Sequence, residues 1–211
     1  MKIYEIINIA ALAFAIFFKK KHSQPKYLAL FLLTCILIES VVLDYMSKVI
    51  GMNLPALNIF IIFTVFYYQY ILLEQLRKNR YYKILWFLMP VCITASIINY
   101  FIGQGPREIN NYTYSLGLIV TCILIIIYYR TLINDRYNPN LFSIPMVWFS
   151  LGILLFYVCA FPMITFSKSL LEQPDSELDL NFLIEIANIL LSSGYLMAAI
   201  MRSKFNYSKV R

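Results

Sequence analysis

The feature that most constrains this chain is a series of seven long, mostly apolar runs separated by short polar loops. A helix that crosses a bilayer needs about 20 consecutive apolar residues, within a range of roughly 17–25. We therefore expect an all-α fold, a polytopic integral membrane bundle of seven transmembrane helices in a single domain over residues 1–211. The predicted spans are Ile3–Phe18, Tyr27–Met46, Ala56–Leu76, Ile84–Gly103, Tyr112–Tyr129, Ile144–Phe166 and Asn181–Met201.

The composition of the chain also indicates a lipid environment. Apolar residues make up 61% and charged residues 14% of the sequence, against about 45–50% and 25% in soluble proteins. A soluble globule of 211 residues has too little interior to bury that much apolar surface. The first run is the weakest of the seven because it is short and contains Glu5, so six spans are the alternative.

The positions of the basic residues predict the orientation in the membrane. Lys and Arg are enriched in the cytoplasmic loops of membrane proteins. Of the 18 here, 14 lie after the first, third and fifth runs or in the C-terminal tail. This distribution predicts that the protein lies in the inner (cytoplasmic) membrane of a bacterium, with the N-terminus outside and the C-terminus inside. It also explains the net charge of +7 without a nucleic-acid partner. The predicted cytoplasmic set is Lys19, Lys20, Lys21, Lys26, Arg77, Lys78, Arg80, Lys83, Arg130, Arg136, Arg202, Lys204, Lys209 and Arg211.

Residue types needed for most catalytic centres are scarce. His22 is the one histidine, and it lies beside lysines in the first loop. The sequence contains neither a Walker A loop nor a GxGxxG motif. Each of the four cysteines lies in a different apolar run, where a thiol packs as a small hydrophobe. We therefore predict that the protein is not an enzyme and has no cofactor and no metal site.

Two acidic residues, Glu39 and Asp44, lie inside the second run, where an ionisable group costs about 2.5–3.5 kcal/mol on insertion scales. Glu39 is about 18 Å along a helix from Tyr27, slightly to the outer side of the midplane. It is a candidate for function, and the alternative is a protonated, hydrogen-bonded structural residue. Asp44 lies nearer the outer end, where it either joins the same site or reaches water.

Polar stripes open the first and last spans at their predicted outer ends. In each stripe an Asn follows a Glu by three residues. The second stripe has two more polar residues, seven and ten positions after its Glu, so its four side chains share one helical face. Such a face does not suit lipid and is expected to face the bundle. Interhelical hydrogen bonding and a ligand or ion cleft are both open as its role. The stripes consist of Glu5 and Asn8 in the first span and Glu185, Asn188, Ser192 and Tyr195 in the last.

Two other patterns predict local packing. Gly194 and Ala198 are four residues apart on the last run, which is typical of a close helix-packing face. Glu74 is at the inner end of the third run, with Lys78 four residues later, which predicts a salt bridge at the helix end.

The string Trp148–Val158, WFSLGILLFYV, together with the stretch Asn58–Tyr68, resembles a set of uncharacterised small bacterial seven-span membrane proteins. The resemblance covers most of the chain and consists of apolar and aromatic residues. It implies a seven-helix membrane architecture, and the genes of some of these proteins lie near signalling genes. It implies no established activity and assigns no functional residues.

These features predict a non-enzymatic membrane sensor or accessory module. Its outer polar cleft would respond to a ligand, an ion or the membrane itself, and its basic inner face would meet anionic lipid or a cytoplasmic protein partner. The alternative is a small transporter or channel for a cation or a proton-coupled solute that uses Glu39 and its neighbours. Besides the lipid bilayer as a partner, the sequence is compatible with an oligomer.

Overall fold

The structure, a computed structural model, describes residues 2–17, 27–43, 45–50, 53–134, 140–165 and 176–201. Every regular element within these residues is helical, which confirms the predicted all-α class. The α-helices are α1 (Ile3–Phe17), α2 (Leu28–Leu37), α3 (Leu54–Gln75), α4 (Tyr82–Ile98), α5 (Asn111–Ile133), α6 (Pro145–Thr165) and α7 (Ser176–Ile200).

Within the part of the chain that the structure describes, six helical stretches have the length and the apolar composition needed to cross a bilayer. α1 has 15 residues, which is about 22 Å at 1.5 Å per residue, whereas the hydrocarbon core is about 30 Å thick. Six of the seven predicted spans are therefore confirmed as helices of spanning length, and the first is a shorter apolar helix. The six stretches are Leu28–Val49, Leu54–Gln75, Tyr82–Gly103, Asn111–Ile133, Pro145–Pro162 and Phe182–Ile200.

The helix boundaries follow the local chemistry of the chain. Pro55 and Pro145 are in the first turns of α3 and α6, where the missing N–H leaves no hydrogen bond unmade. α7 begins at Ser176, earlier than its apolar run.

The C-terminal part of the stretch Leu28–Val49 departs from regular α-helix. Beyond α2 the backbone continues in π-helical turns at Ile38–Leu43 and Met46–Ile50, and α4 likewise ends in a π-helical turn at Asn99–Gly103. Such turns, with their wider hydrogen-bond spacing, are uncommon and often occur at functional sites. The predicted span over Tyr27–Met46 is a helical stretch in the structure, but its π-helical turns were not predicted, because an apolar run reports the environment of a segment and not its hydrogen-bond spacing.

The chain divides into two compact units. The first consists of residues 1–36 and 135–211, with α1, α6, α7 and most of α2. Within it, α7 packs against both α6 and α1. The second consists of residues 37–134, in which α3, α4 and α5 pack against one another.

A glycine pair brings α6 and α7 into backbone contact. A Cβ atom added to Gly194 would lie 2.7 Å from the Cα atom of Gly152 and 2.9 Å from the carbonyl oxygen of Trp148. Ala198, one turn along α7, is completely buried. The predicted packing face of Gly194 and Ala198 is therefore confirmed, and its partner on α6 is the backbone around Gly152.

Candidate functional site

The two polar stripes lie on helices that are neighbours, because α1 packs directly against α7. On α1 the buried residues are Asn8, Ala11 and Ala15, and on α7 Ala187 is fully buried. Small residues of this kind allow the backbones of two helices to approach closely in a membrane. The first unit thus contains a small-residue interface with polar groups towards the N-terminal ends of both helices. We call the residues Glu5, Asn8, Glu185 and Asn188 the polar cleft.

Asn8 is the most deeply buried member of the polar cleft. Its side chain is 5% exposed, and its Oδ1 atom accepts no hydrogen bond from any residue that the structure describes. A buried polar atom that lacks its partner costs about 1–3 kcal/mol. The carboxamide oxygen is therefore suited to accept a hydrogen bond from a ligand, a water molecule or a cation's hydration shell.

The two carboxyl groups of the polar cleft lie closer to solvent than Asn8. Glu5 is half-buried, and its Oε2 atom accepts a hydrogen bond of 2.9 Å from the backbone N–H of Lys2, at the start of α1. Glu185 and Asn188 of α7 are also half-buried. The arrangement offers oxygen acceptors at two depths, with the carboxylates at the edge and the Asn8 carboxamide inside.

On the C-terminal side of Asn188, the polar side chains of the α7 stripe are fully buried. Ser192 is 2% exposed and Tyr195 is 3% exposed. The ring of Tyr195 packs edge-on against Phe31 at 5.8 Å between centroids and against Phe149 at 5.6 Å. These aromatic contacts terminate the polar stripe inside the first unit.

Of the two acidic residues predicted in the second span, the structure describes only Glu39. Glu39 is half-buried in the π-helical turn Ile38–Leu43 and belongs to the second unit. Asp44 lies outside the described residues. Both remain predictions.

A cluster of amide side chains at one end of the second unit was not predicted. Asn58 is fully buried; its Nδ2 atom donates to the backbone oxygen of Glu108 at 2.8 Å, and its Oδ1 atom accepts from the backbone N–H of Asn110 at 3.0 Å. The Nδ2 atom of Asn99 donates to the side-chain oxygens of Asn110 and Gln104. These bonds join α3, α4 and α5. The sequence signal was an uncharged amide within an apolar run, which bonds across helices in membranes, whereas our prediction weighed ionisable groups.

A second polar position missed from the sequence lies deeper in the same unit. Gln69 is fully buried, and its Nε2 atom donates to the sulfur of Cys92 at 3.4 Å. Its Oε1 atom, like the hydroxyl of the buried Thr121 on α5, has no hydrogen-bond partner among the described residues. In the sequence Gln69 lies among aromatic residues, so this single amide was not predicted as a candidate.

The turn between α3 and α4 presents basic side chains. Glu74 accepts a hydrogen bond of 2.8 Å from Arg77, so an ion pair at the helix end is confirmed, with Arg77 as a partner. This hydrogen bond raises the pKa of the Arg77 guanidinium above its ordinary value. Arg80 lies over the ring of Tyr81, 4.5 Å from its centroid, and Lys83 is exposed. This turn therefore offers several positively charged side chains to an anionic surface.

No group of three or more His, Cys, Asp or Glu side chains that could hold a metal ion is present among the described residues. No protein-family model, curated protein or solved structure matches this chain. The functional argument therefore depends on the geometry of the chain itself.

Proposed function

We propose that this protein is a non-enzymatic membrane sensor or accessory module whose polar cleft binds a cation or an ammonium-type ligand. The observation that supports the proposal most is Asn8, which is buried where α1 packs on α7 and has a carboxamide oxygen without a hydrogen donor. Glu5 and Glu185 add two carboxylates at the edge of the same interface. The Asn8 oxygen and the two carboxylates are hydrogen-bond acceptors, so a ligand that binds here must supply positive charge or hydrogen donors.

The membrane orientation follows from the basic residues. We infer that α1 crosses the bilayer with the other six helices, tolerating its short length by local thinning of the bilayer. The polar cleft then opens to the outside. The turn with Arg77, Arg80 and Lys83 faces the cytoplasm, where anionic lipid or an acidic protein surface is its partner.

α7 is the element through which binding would reach the partner. It packs against α1 at the polar cleft and against α6 at the backbone contact of Gly152 and Gly194. Because that contact has no side chain to absorb a displacement, a shift of α7 relative to α1 must also move α6. The coupling requires only that the ligand favour one position of α7 over another.

The aromatic packing below the cleft favours binding over transport. A conduit for a cation needs polar groups along the whole span, whereas the stripe on α7 ends where Tyr195 packs on Phe31 and Phe149. Below it, Ala198 and Ala199 are fully buried. A transporter would require these rings to separate during each transport cycle. Binding in a pocket that is closed at its inner end requires no such movement, so binding is the simpler function.

Cation titration of the purified protein in liposomes tests this proposal. Trp86→Phe leaves Trp148 as the single tryptophan, and the Trp148 carbonyl lies beside Gly194. Sodium, calcium and tetramethylammonium are added separately while Trp148 fluorescence is recorded. We expect a saturable change with at least one of them, and its loss in Glu5→Gln and Glu185→Gln.

Glu108→Gln is the matched control, since Glu108 is an exposed acid in the second unit whose carboxylate is not part of the cleft. It should respond as the parent protein does. A response that is not saturable, or that survives in both cleft variants, contradicts the proposal. Uptake of the same cation above that of empty vesicles would instead support the transporter.

A further inference from the structure

Two side chains inside the second unit have polar atoms without a hydrogen-bond partner among the described residues. The atoms are the Oε1 atom of Gln69 on α3 and the hydroxyl oxygen of Thr121 on α5. Both residues are completely buried. A buried amide or hydroxyl group that has exchanged water for no other partner is unfavourable. Each of these atoms is therefore suited to bind a ligand that can form hydrogen bonds.

The register of α3 against α5 places the two groups at the same level. Three contacts along this interface join residues that are 52 positions apart in the sequence. Because this separation is constant, α3 and α5 run parallel and in register. Gln69 and Thr121 have the same separation and lie one turn beyond the middle contact. The three contacts are the hydrogen bond between Asn58 and Asn110, the approach of Val65 to the Cβ position of Gly117, and the hydrogen bond between Asn79 and Thr131.

The hydroxyl group of Thr121 differs from those of other threonines because it does not bond to its own helix. Thr34, Thr64 and Thr131 each donate to the backbone oxygen four residues earlier, a common bond for a threonine inside a helix. The Thr121 hydroxyl makes no such bond among the described residues. Its hydrogen is therefore available to an acceptor outside α5.

We propose that Gln69 and Thr121 bind one water molecule between α3 and α5. A carboxamide oxygen only accepts hydrogen bonds, whereas a hydroxyl group also donates. Water can therefore donate to the Oε1 atom of Gln69 and accept from Thr121. The Nε2 atom of Gln69 donates to the sulfur of Cys92 on α4 at 3.4 Å, which orients the amide. That sulfur is a weak acceptor for the second hydrogen of the water, and a buried water typically makes about three hydrogen bonds.

The size and the chemistry of the interface favour water over other ligands. At the preceding turn, a Cβ atom added to Gly117 would lie 2.7 Å from the side chain of Val65, so the helices are close together and only a small molecule fits. Two neutral oxygens are too few for a calcium ion, which takes about six to eight oxygen ligands. The inference is independent of the polar cleft, which belongs to the first unit.

X-ray radiolysis of the purified, unaltered protein tests for the water directly. The beam converts water molecules into hydroxyl radicals, which modify the side chains beside them, and mass spectrometry locates the modified residues. Cys92 and Cys35 are a matched pair, because both are buried, at 2% and 5% exposed, and only Cys92 bonds to Gln69. We expect several-fold more modification of Cys92 than of Cys35. Equal modification of the two would show a dry interface and overturn the proposal.

Thr121→Val tests the same site by the sign of its effect on stability. If water joins the two helices, loss of the hydroxyl group removes a hydrogen bond, so the midpoint of unfolding by SDS should fall. In a dry interface the same change would remove a buried hydroxyl without a partner, and the midpoint would stay the same or rise. Either of those results contradicts the proposal.

Thr64→Val is the matched control, since the Thr64 hydroxyl donates to backbone oxygens of its own helix. It should leave the modification of Cys92 unchanged, whereas Thr121→Val should reduce that modification to the level of Cys35. A lower midpoint in Thr121→Val, together with a Cys92 that is no more modified than Cys35 in the unaltered protein, would show a direct bond between Gln69 and Thr121. That result would also overturn the water site.

Discussion

Substitution of Gly194 by Ala tests the backbone contact on which coupling through α7 depends. The new Cβ would lie 2.7 Å from the Cα atom of Gly152 and 2.9 Å from a carbonyl oxygen. Nonbonded carbon atoms prefer about 3.5–4.0 Å, so α6 and α7 must separate by roughly 1 Å. Overpacking of this kind costs about 1–3 kcal/mol, and the higher helix propensity of Ala returns up to about 1 kcal/mol. We expect a net loss of about 1–2 kcal/mol in the free energy of unfolding.

Gly117→Ala in α5 is the matched control, because the same change meets a side chain there. Its Cβ would lie 2.7 Å from the Cγ atoms of Val65, and a side chain has more freedom to shift than two helix backbones. Unfolding by increasing SDS in mixed micelles, followed by circular dichroism, gives the midpoints of both variants. Gly194→Ala should have the lower midpoint.

A double-mutant cycle separates this contact from a general effect of added methyl groups. Gly152→Ala should also destabilise, since its Cβ would lie 2.9 Å from the Cα atom of Gly194. Because both changes separate the same two helices, the double variant should lose less than the sum of the two single losses. Full additivity, or a Gly194→Ala variant as stable as the parent, would refute the backbone contact.

Three other predictions use separate positions. Cysteines at Asn8 and Asn188, in a background without the native four, should form a disulfide in membranes under oxidant, because α1 packs on α7; a well-folded variant without that crosslink contradicts the polar cleft. Glu39→Gln should reach the parent's yield in membranes because the amide is nearly isosteric, and a large loss would indicate an ionised, paired carboxylate. Asn58→Ala should lower the SDS midpoint markedly, since the backbone N–H of the buried Asn110 and the backbone oxygen of Glu108 each lose a hydrogen-bond partner, and a buried group left without a partner costs about 1–3 kcal/mol; an unchanged midpoint would contradict a structural role for the amide cluster.

The positions of the helices of spanning length could be predicted from the sequence because apolar composition is a local and cumulative property of each segment. The close-packing face on α7 was also accessible, since Gly194 and Ala198 are one turn apart. Its partner Gly152 was not, because only the tertiary structure decides which helix meets which. The π-helical turns in the second span were not predicted because an apolar run does not specify the hydrogen-bond spacing of its helix.

The sequence also identified candidate site residues. Spacing alone identified Glu5 with Asn8 and Glu185 with Asn188, and the structure shows that the helices that carry the two pairs pack against each other. Sequence could not show that Asn8 is buried without a donor for its oxygen. Gln69 was not predicted because it lies among aromatic residues and has no polar residue three, four or seven positions away.

The account depends most on a polar cleft that opens to the outside and binds a cation. Asn188→Cys, in a background without the native cysteines and with Glu5, Asn8 and Glu185 intact, tests this through its rate of reaction with a membrane-impermeant thiol reagent. In intact cells the cysteine should react from outside, and saturating amounts of the cation identified by the Trp148 titration should slow the reaction. Reaction only after permeabilisation, or a rate that the cation does not change, would contradict the outward-facing cation site.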